Sequence, residues 1–284
     1  MVLVDYLAAS PAVLAACCFL LGLALGSFLN VVILRLPVML EQGWREEARM
    51  VLSHPQQVED ERVTLARPAS RCPHCGTAIP PWRNIPVLSW VLLRGRAACC
   101  GKPISVQYPL VELAAGLLAM ACALRFGMSW ELAAALVVAM SLLAAGVIDW
   151  NTQLLPDNIT LPLMWLGLLV NVGGLFAPLA DAVIGAAAGY MVLWTVFMAF
   201  KLLTGKEGMG FGDFKLLAAL GAWFGWPALP MLLLLSSAVG AVVGIAMRMS
   251  GQLAAGHPMP FGPFIAGAGL VWLLVPMAAG GVLL

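Results

Sequence analysis

The chain has 284 residues, is 62% hydrophobic, carries only 10% charged residues and has a formal net charge of +1. A soluble domain carries about twice that charge fraction, and a near-neutral chain has no electrostatic footprint for nucleic acid, so no nucleic-acid partner is expected. No sustained period-two alternation argues for a β-barrel, and the composition reads as an all-α polytopic membrane protein.

Taken in chain order, apolar stretches long enough for a hydrocarbon core of about 30 Å lie near 11–35, 104–124, 130–149, 157–176, 181–202, 213–225, 228–248 and 260–282. This predicts about eight transmembrane helices. The first begins after Asp5, lacks a basic lead-in and is too long for a cleavable signal peptide, so it is expected to be a spanning helix. The sixth is short and broken by Trp223-Phe224-Gly225-Trp226-Pro227. Three parts follow: 1–36, the first transmembrane helix; 37–103, a small polar domain; and 104–284, the remaining spans.

Nine of the 15 Lys and Arg residues fall between Pro37 and Pro103. The positive-inside rule places this segment in the cytoplasm and the N-terminus outside. Alternation of the spans then puts Lys201, Lys206, Lys215 and Arg248 on the cytoplasmic side as well, with Arg125 the one misfit. Glu131 and Asp181 border spans on the outer side.

Four of the seven cysteines lie in the polar segment, in Cys72-Pro73-His74-Cys75 and Cys99-Cys100-Gly101-Lys102. A C-x-x-C knuckle followed about 20 residues later by further cysteines is a zinc signature, and a metal offsets the small core of so short a segment. The second pair is irregular. A regular knuckle needs a cysteine at 97, where Ala97 stands, so the fourth ligand is Cys99 or His74. The alternative is a metal-free fold with reduced cysteines packed against Trp82 and Trp90. Cys17, Cys18 and Cys122 read as apolar packing residues.

Charged groups inside spans mark function by default. Asp149 ends the third span, where the helix dipole disfavours a negative charge. Asp157 follows Pro156 and opens the fourth span, where a carboxylate suits the helix N-terminus as a cap. Asp213 follows Gly208-Met209-Gly210-Phe211-Gly212 and precedes Lys215, at the same membrane depth as Asp149. Two carboxylates at one depth can share a proton, one acting as base towards water and the other as acid towards a carbonyl. That is the chemistry of an aspartic peptidase. The competing readings are separate pairing with Lys215 or other cations, a proton relay in a transporter, and a noncatalytic assembly protein held by a zinc knuckle.

The ordered motifs decide among these. Gly26-Ser27-Phe28-Leu29-Asn30, Ser70-Arg71-Cys72-Pro73-His74-Cys75, Asn84-Ile85-Pro86 with Ser89-Trp90, Ile104-Ser105 with Tyr108-Pro109, and Val111-Glu112-Leu113 run through the first half. Asp149 with Leu155-Pro156-Asp157, Gly210-Phe211-Gly212-Asp213 with Lys215, and Pro260-Phe261-Gly262-Pro263 run through the second. Over nearly its whole length the chain resembles the type IV prepilin peptidases, bifunctional leader peptidases/N-methyltransferases of type IV pilus and type II secretion systems.

The resemblance implies a GxGD-type intramembrane peptidase of the bacterial inner membrane with a periplasmic N-terminus and Asp149 and Asp213 as its catalytic pair. Gly210, Gly212, Lys215 and Asp157 belong to its supporting motif. It implies cleavage of prepilins and pseudopilins after a glycine, then N-methylation of the new N-terminus with S-adenosylmethionine. In such proteins two C-x-x-C pairs mark the cytoplasmic domain, and this chain departs at Ala97. Archaeal relatives lacking the segment are peptidases only, so its presence argues for the bifunctional group. No dinucleotide-type glycine motif offers a methyl-donor site, and the expected neighbourhood is Gly95, Tyr108 and Glu112. Glu46, Glu47, Glu59, Asp60 and Glu61 are candidates to attract a basic leader.

Overall fold

The computed structural model describes residues 2–52, 62–80, 85–206, 208–251 and 259–275. Trp82, Asn84, Glu59, Asp60, Glu61 and the end of the last span lie outside them. The chain divides into two compact units, Met1–Met128 and Ser129–Leu284. The division falls after the second span, whereas the polarity boundary read from the sequence falls before it, at 103/104. Polarity marks where a chain enters the membrane, while compactness follows helix packing.

The first unit contains α1 (Val2–Ala9), α2 (Pro11–Val51), α3 (Leu88–Leu92) and α4 (Gln107–Phe126). Helix α2 has 41 residues and runs on through Pro37, well beyond the predicted end at 35. At 1.5 Å per residue it is about 60 Å long, twice the hydrocarbon thickness. Its second half is rich in Leu, Met, Glu, Gln and Arg, which favour helix without needing an apolar face, and Glu41 pairs with Arg45 one turn on. The hydrophobic pattern ends there but the helix does not. The 62–68 segment docks on this extension: the Arg35 guanidinium donates to the carbonyls of Thr64, Leu65 and Pro68, and the Val63 N–H donates to Gln42 Oε1.

Helices α2 and α4 pack antiparallel through small residues. A Cβ at Gly22 would meet Gly116 Cα at 2.7 Å, and one at Gly26 would meet Glu112 Cα at 2.6 Å. Close backbone approach at a small-xxx-small seam is how helices associate in lipid, where there is no hydrophobic drive between them.

The second unit contains α5 (Trp130–Thr152), α6 (Asp157–Val170), α7 (Leu179–Thr204), α8 (Phe211–Phe224), α9 (Leu229–Met249) and α10 (Gly262–Leu274). Each predicted span has a helix. Among the described residues, five are long and apolar enough to cross a membrane: α2, α4, α5, α7 and α9 with its leading turn. Helices α6 and α8 have 14 residues each, about 21 Å at the α-helical rise. The short α8 is buried on every side from Phe214 to Phe224, Lys215 excepted. An all-round apolar helix belongs in a core, and α6, α7, α9 and α10 pack around α8. Gly185 on α7 and Gly221 on α8 let the two backbones touch, and Gly189 admits the Leu217 carbonyl. The C-terminal end of α8 is held by buried Asn171, whose Nδ2 donates to the carbonyls of Ala222 and Trp223 while its Oδ1 accepts from the N–H groups of Phe176 and Ala177. A polar side chain satisfied this fully fixes one arrangement of an otherwise featureless apolar core.

Among the described residues there is no β-strand, only two isolated bridges in the segment between α2 and α4, Arg71 with Ala78 and Arg96 with Pro103.

Candidate active site

Asp149 lies in the last turn of α5 and Asp213 in the first turn of α8. They are 5% and 6% exposed and close enough for the charge of one to act on the other. The C-terminal end of α5 is a poor place for a carboxylate, and α10 resolves the difficulty. The N–H of Gly262, the first residue of α10, donates to Asp149 Oδ2 at 2.9 Å. The free N–H groups and positive dipole end of one helix thus compensate the negative end of another.

Glycine is required at two points of this junction. A Cβ on Gly262 would stand 2.6 Å from Asp149 Oδ2 and 2.9 Å from Leu155 Cδ1, and a Cβ on Gly212 would stand 2.5 Å from Leu155 Cβ. The α5–α6 connection therefore threads Leu155 between the starts of α8 and α10. Gly212 serves this packing. Gly210 precedes α8 in extended conformation, and a Cβ there would meet nothing within 4 Å, so the open side of the loop is at Gly210. Gly262→Ala is expected to lower by about 100-fold the rate of any reaction that Asp149 serves, since a displacement of about 1 Å at a reacting group has that effect, with the folded protein still eluting as wild type.

Asp157 is the first residue of α6, following Pro156 at the cap, so its acid lies in the first turn as expected. It pairs with Lys215, whose Nζ lies 2.7 Å from both carboxylate oxygens. Lys215 is therefore committed to Asp157, which removes the expectation that it neutralises Asp149 or Asp213. The pair ties the start of α6 to the first turns of α8, and it is partly exposed. Lys215→Met is expected to reduce stability by no more than about 1 kcal/mol and to leave a measurable cleavage rate.

In the first unit, Cys72, Cys75, Cys99 and Cys100 bring their sulfurs within 4.8 Å of one another. Cys72 faces Cys100 at 3.8 Å and Cys75 faces Cys99 at 3.3 Å. Tetrahedral zinc with bonds near 2.3 Å needs sulfurs about 3.8 Å apart, so this donor set fits the ion. His74 is outside the cluster and Cys99 is within it. The Thr77 hydroxyl and N–H pull the Cys75 thiol down to about 6, while Cys75 itself pushes its neighbour Cys99 up to about 12.

The residues expected near a methyl donor also lie in this unit. Gly95 has φ +69° and a Cβ there would meet the Trp90 ring at 2.9 Å, so a tight turn under Trp90 accounts for the glycine. Glu112 accepts from the Val87 N–H at 2.7 Å, and the Tyr108 carbonyl accepts from Asn30 Nδ2 at 3.0 Å. Glu46 pairs with Arg62 at 3.0 Å, so part of the acidic field facing the loop is already compensated.

The family model described as the type IV leader peptidase family matches residues 136–245, and that of the bacterial peptidase A24 N-terminal domain matches residues 20–126. Proteins named prepilin leader peptidase/N-methyltransferase align over almost the whole chain. One from Stutzerimonas stutzeri is 52% identical over 95% of this chain and 94% of its own length. One from Pseudomonas aeruginosa is 51% identical over 96% and 94%. The chain belongs to the type IV leader peptidase family. A relative from Aeromonas hydrophila, 54% identical over 90% of this chain and 89% of its own, bears the same name. No solved structure matches. Membership leaves the transporter reading of the aspartates without support and makes the chain a leader-peptidase-family enzyme. Within that family frame, Gly262 is the residue whose part the sequence did not disclose. Its motif, Pro260-Phe261-Gly262-Pro263, was visible, but contact with Asp149 across 113 positions leaves no trace in spacing.

Proposed function

We propose that this chain removes the basic leader from type IV prepilins and type II secretion pseudopilins and then N-methylates the new N-terminal residue. The observation that carries the peptidase reading is the pair of buried carboxylates at adjoining helix ends, Asp149 held by the Gly262 N–H and Asp213 in the first turn of α8. Two such groups share one proton. The ionised one takes a proton from water, and the resulting hydroxide adds to the scissile carbonyl carbon. The protonated one donates to the carbonyl oxygen, giving a gem-diol. Return of a proton to the amide nitrogen lets the C–N bond break. The open side of Gly210 is where an extended substrate backbone approaches.

A prepilin presents its leader at the cytoplasmic face and its apolar helix in the bilayer. The positive-inside reading puts the Cys-containing segment, the end of α5 and the start of α8 on that face, in the inner membrane with the N-terminus periplasmic. Zinc, held by Cys72, Cys75, Cys99 and Cys100, supplies cross-linking to a segment with little core of its own. S-adenosylmethionine supplies the methyl group, with the region of Gly95, Tyr108 and Glu112 as its neighbourhood.

The test is to incubate purified full-length enzyme in detergent with a full-length prepilin and S-adenosylmethionine, and to follow product masses. Loss of the leader followed by a gain of one methyl group is expected. An intact prepilin after prolonged incubation with folded enzyme would refute the peptidase reading, and a cleaved but unmethylated product would refute the second activity.

A further inference from the structure

The seam between α2 and α4 holds polar groups that neither peptidase chemistry nor the cysteine cluster uses. Asn30 on α2 is 3% exposed. Its Nδ2 donates to the Tyr108 carbonyl at 3.0 Å. Only the amide nitrogen of Asn can donate to a carbonyl, so that bond fixes the orientation and leaves Oδ1 as an acceptor. Asn30 Oδ1 is buried and has no partner, the one such side-chain atom among the described residues. One turn away along both helices lies Glu112, 7% exposed, whose backbone Gly26 admits at contact distance. The antiparallel register pairs Gly26 with Glu112 and Asn30 with Tyr108, so Asn30 and Glu112 stand on the facing sides of one seam, one helical turn apart along it.

The donors that reach Glu112 are the Val87 N–H, at 2.7 Å to Oε2, and the Ser27 hydroxyl. Val87 has φ +58° and ψ −47°, a conformation that a β-branched residue adopts only when its surroundings impose it. Strain of this kind concentrates at ligand-binding positions. The site thus has a buried carboxyl group, a buried unpaired acceptor and a strained backbone nearby, with no side-chain cation within the described contacts. A ligand that completes it is cationic and offers several N–H donors.

We propose that Asn30 and Glu112 bind an α-ammonium group in the methyl-transfer reaction, a reading that rests on the proposed N-methyltransferase activity. The chemistry has two sources: the amino-acid end of the methyl donor, and the new N-terminus of the cleaved pilin. In either case the Glu112 carboxylate supplies the charge, Asn30 Oδ1 accepts a second N–H, and Ser27 and Val87 hold the carboxylate in place. Glu112→Gln keeps the volume and an acceptor for Val87 while removing the charge. Asn30→Leu removes the orphaned acceptor without touching Glu112.

The experiment uses full-length enzyme in detergent. Binding of S-adenosylhomocysteine is compared with that of its N-acetyl derivative, and methylation of a pre-cleaved pilin is measured for wild type and both variants, with leader cleavage recorded on the same samples as the readout of fold. If the site holds the donor, acetylation weakens wild-type binding by about 10- to 100-fold, and Glu112→Gln raises the donor KM by a similar factor. If it holds the pilin N-terminus, donor binding is unchanged and the KM for the pre-cleaved pilin rises instead. Either split, with cleavage retained, supports the proposal. Wild-type KM values for both substrates in both variants overturn it. Should both variants fail to fold, the wild-type measurements decide: indifference to N-acetylation of the donor analogue, together with no inhibition by a free-amine peptide carrying the mature pilin N-terminus, overturns it. Absence of methylation by the wild-type enzyme is a different result and refutes the underlying activity.

Discussion

Asp149→Asn and Asp213→Asn are each expected to lower leader cleavage by about 10⁴-fold or more, and the double variant is expected to be no slower than the worse single one. Residues that act as a unit fail together, because the second substitution removes a function already lost. Asparagine is the informative replacement at Asp149: its Oδ1 still accepts from the Gly262 N–H, so the junction of α5 and α10 survives while the group can no longer take a proton. A structural role would predict the reverse, with Asp149→Ala damaging and Asp149→Asn mild. Cleavage is measured as leader release from a prepilin, with methylation of a pre-cleaved pilin as the control for fold. A rate within about tenfold of wild type for either Asn variant, where loss of acid–base catalysis alone accounts for at least about 100-fold, removes that residue from the reaction.

The division between what the sequence discloses and what it hides follows range. Hydropathy discloses spans because crossing lipid is a local demand on about 20 consecutive residues. It misplaces the end of α2, because helix propensity continues after the hydrophobic signal stops at Arg35. It underdescribes α8, because a short apolar helix looks the same whether it borders lipid or fills a core, and only Gly185, Gly189 and Gly221 hint at the second. The dipole argument isolates Asp149 as a carboxylate out of place at its own helix end. What it cannot supply is the compensating partner, the Gly262 N–H, which is remote in the chain. Asp157 is legible only in part: its local setting after Pro156 gives its place at the start of α6, while its partner is a lysine 58 positions away. Glycines in the Gly210–Gly212 loop divide the same way. Their presence signals close approach, but only the fold separates Gly212, filled by Leu155, from Gly210, which stays open.

The cysteine cluster carries the second large expectation: substituting Cys99 removes the metal, and moving its thiol to position 97 restores it. The two halves of the cluster repeat with an offset of 25 residues. The Cys72 N–H donates to the Thr77 carbonyl as the Ala97 N–H donates to Lys102, Gly76 returns to Cys72 as Gly101 returns to Ala97, and Gly76 and Gly101 have φ of +71° and +69°. Ala97 thus occupies the place of Cys72, Cys100 that of Cys75, and Cys99 that of His74. The fourth thiol has moved two positions along its turn and still faces Cys75. Wild-type enzyme is expected to hold about one zinc per chain, four thiolates being a closed structural set. His74→Ala keeps it. Cys99→Ala loses it, and with it a contribution that for small zinc modules reaches about 10 kcal/mol or more, seen as protease sensitivity confined to the segment between α2 and α4. Adding Ala97→Cys to Cys99→Ala rebuilds the repeat and is expected to recover both metal and protection. Zinc retained by Cys99→Ala would place the fourth ligand elsewhere. A double variant that stays empty would mean that residue 97 is not the geometric equivalent of Cys72.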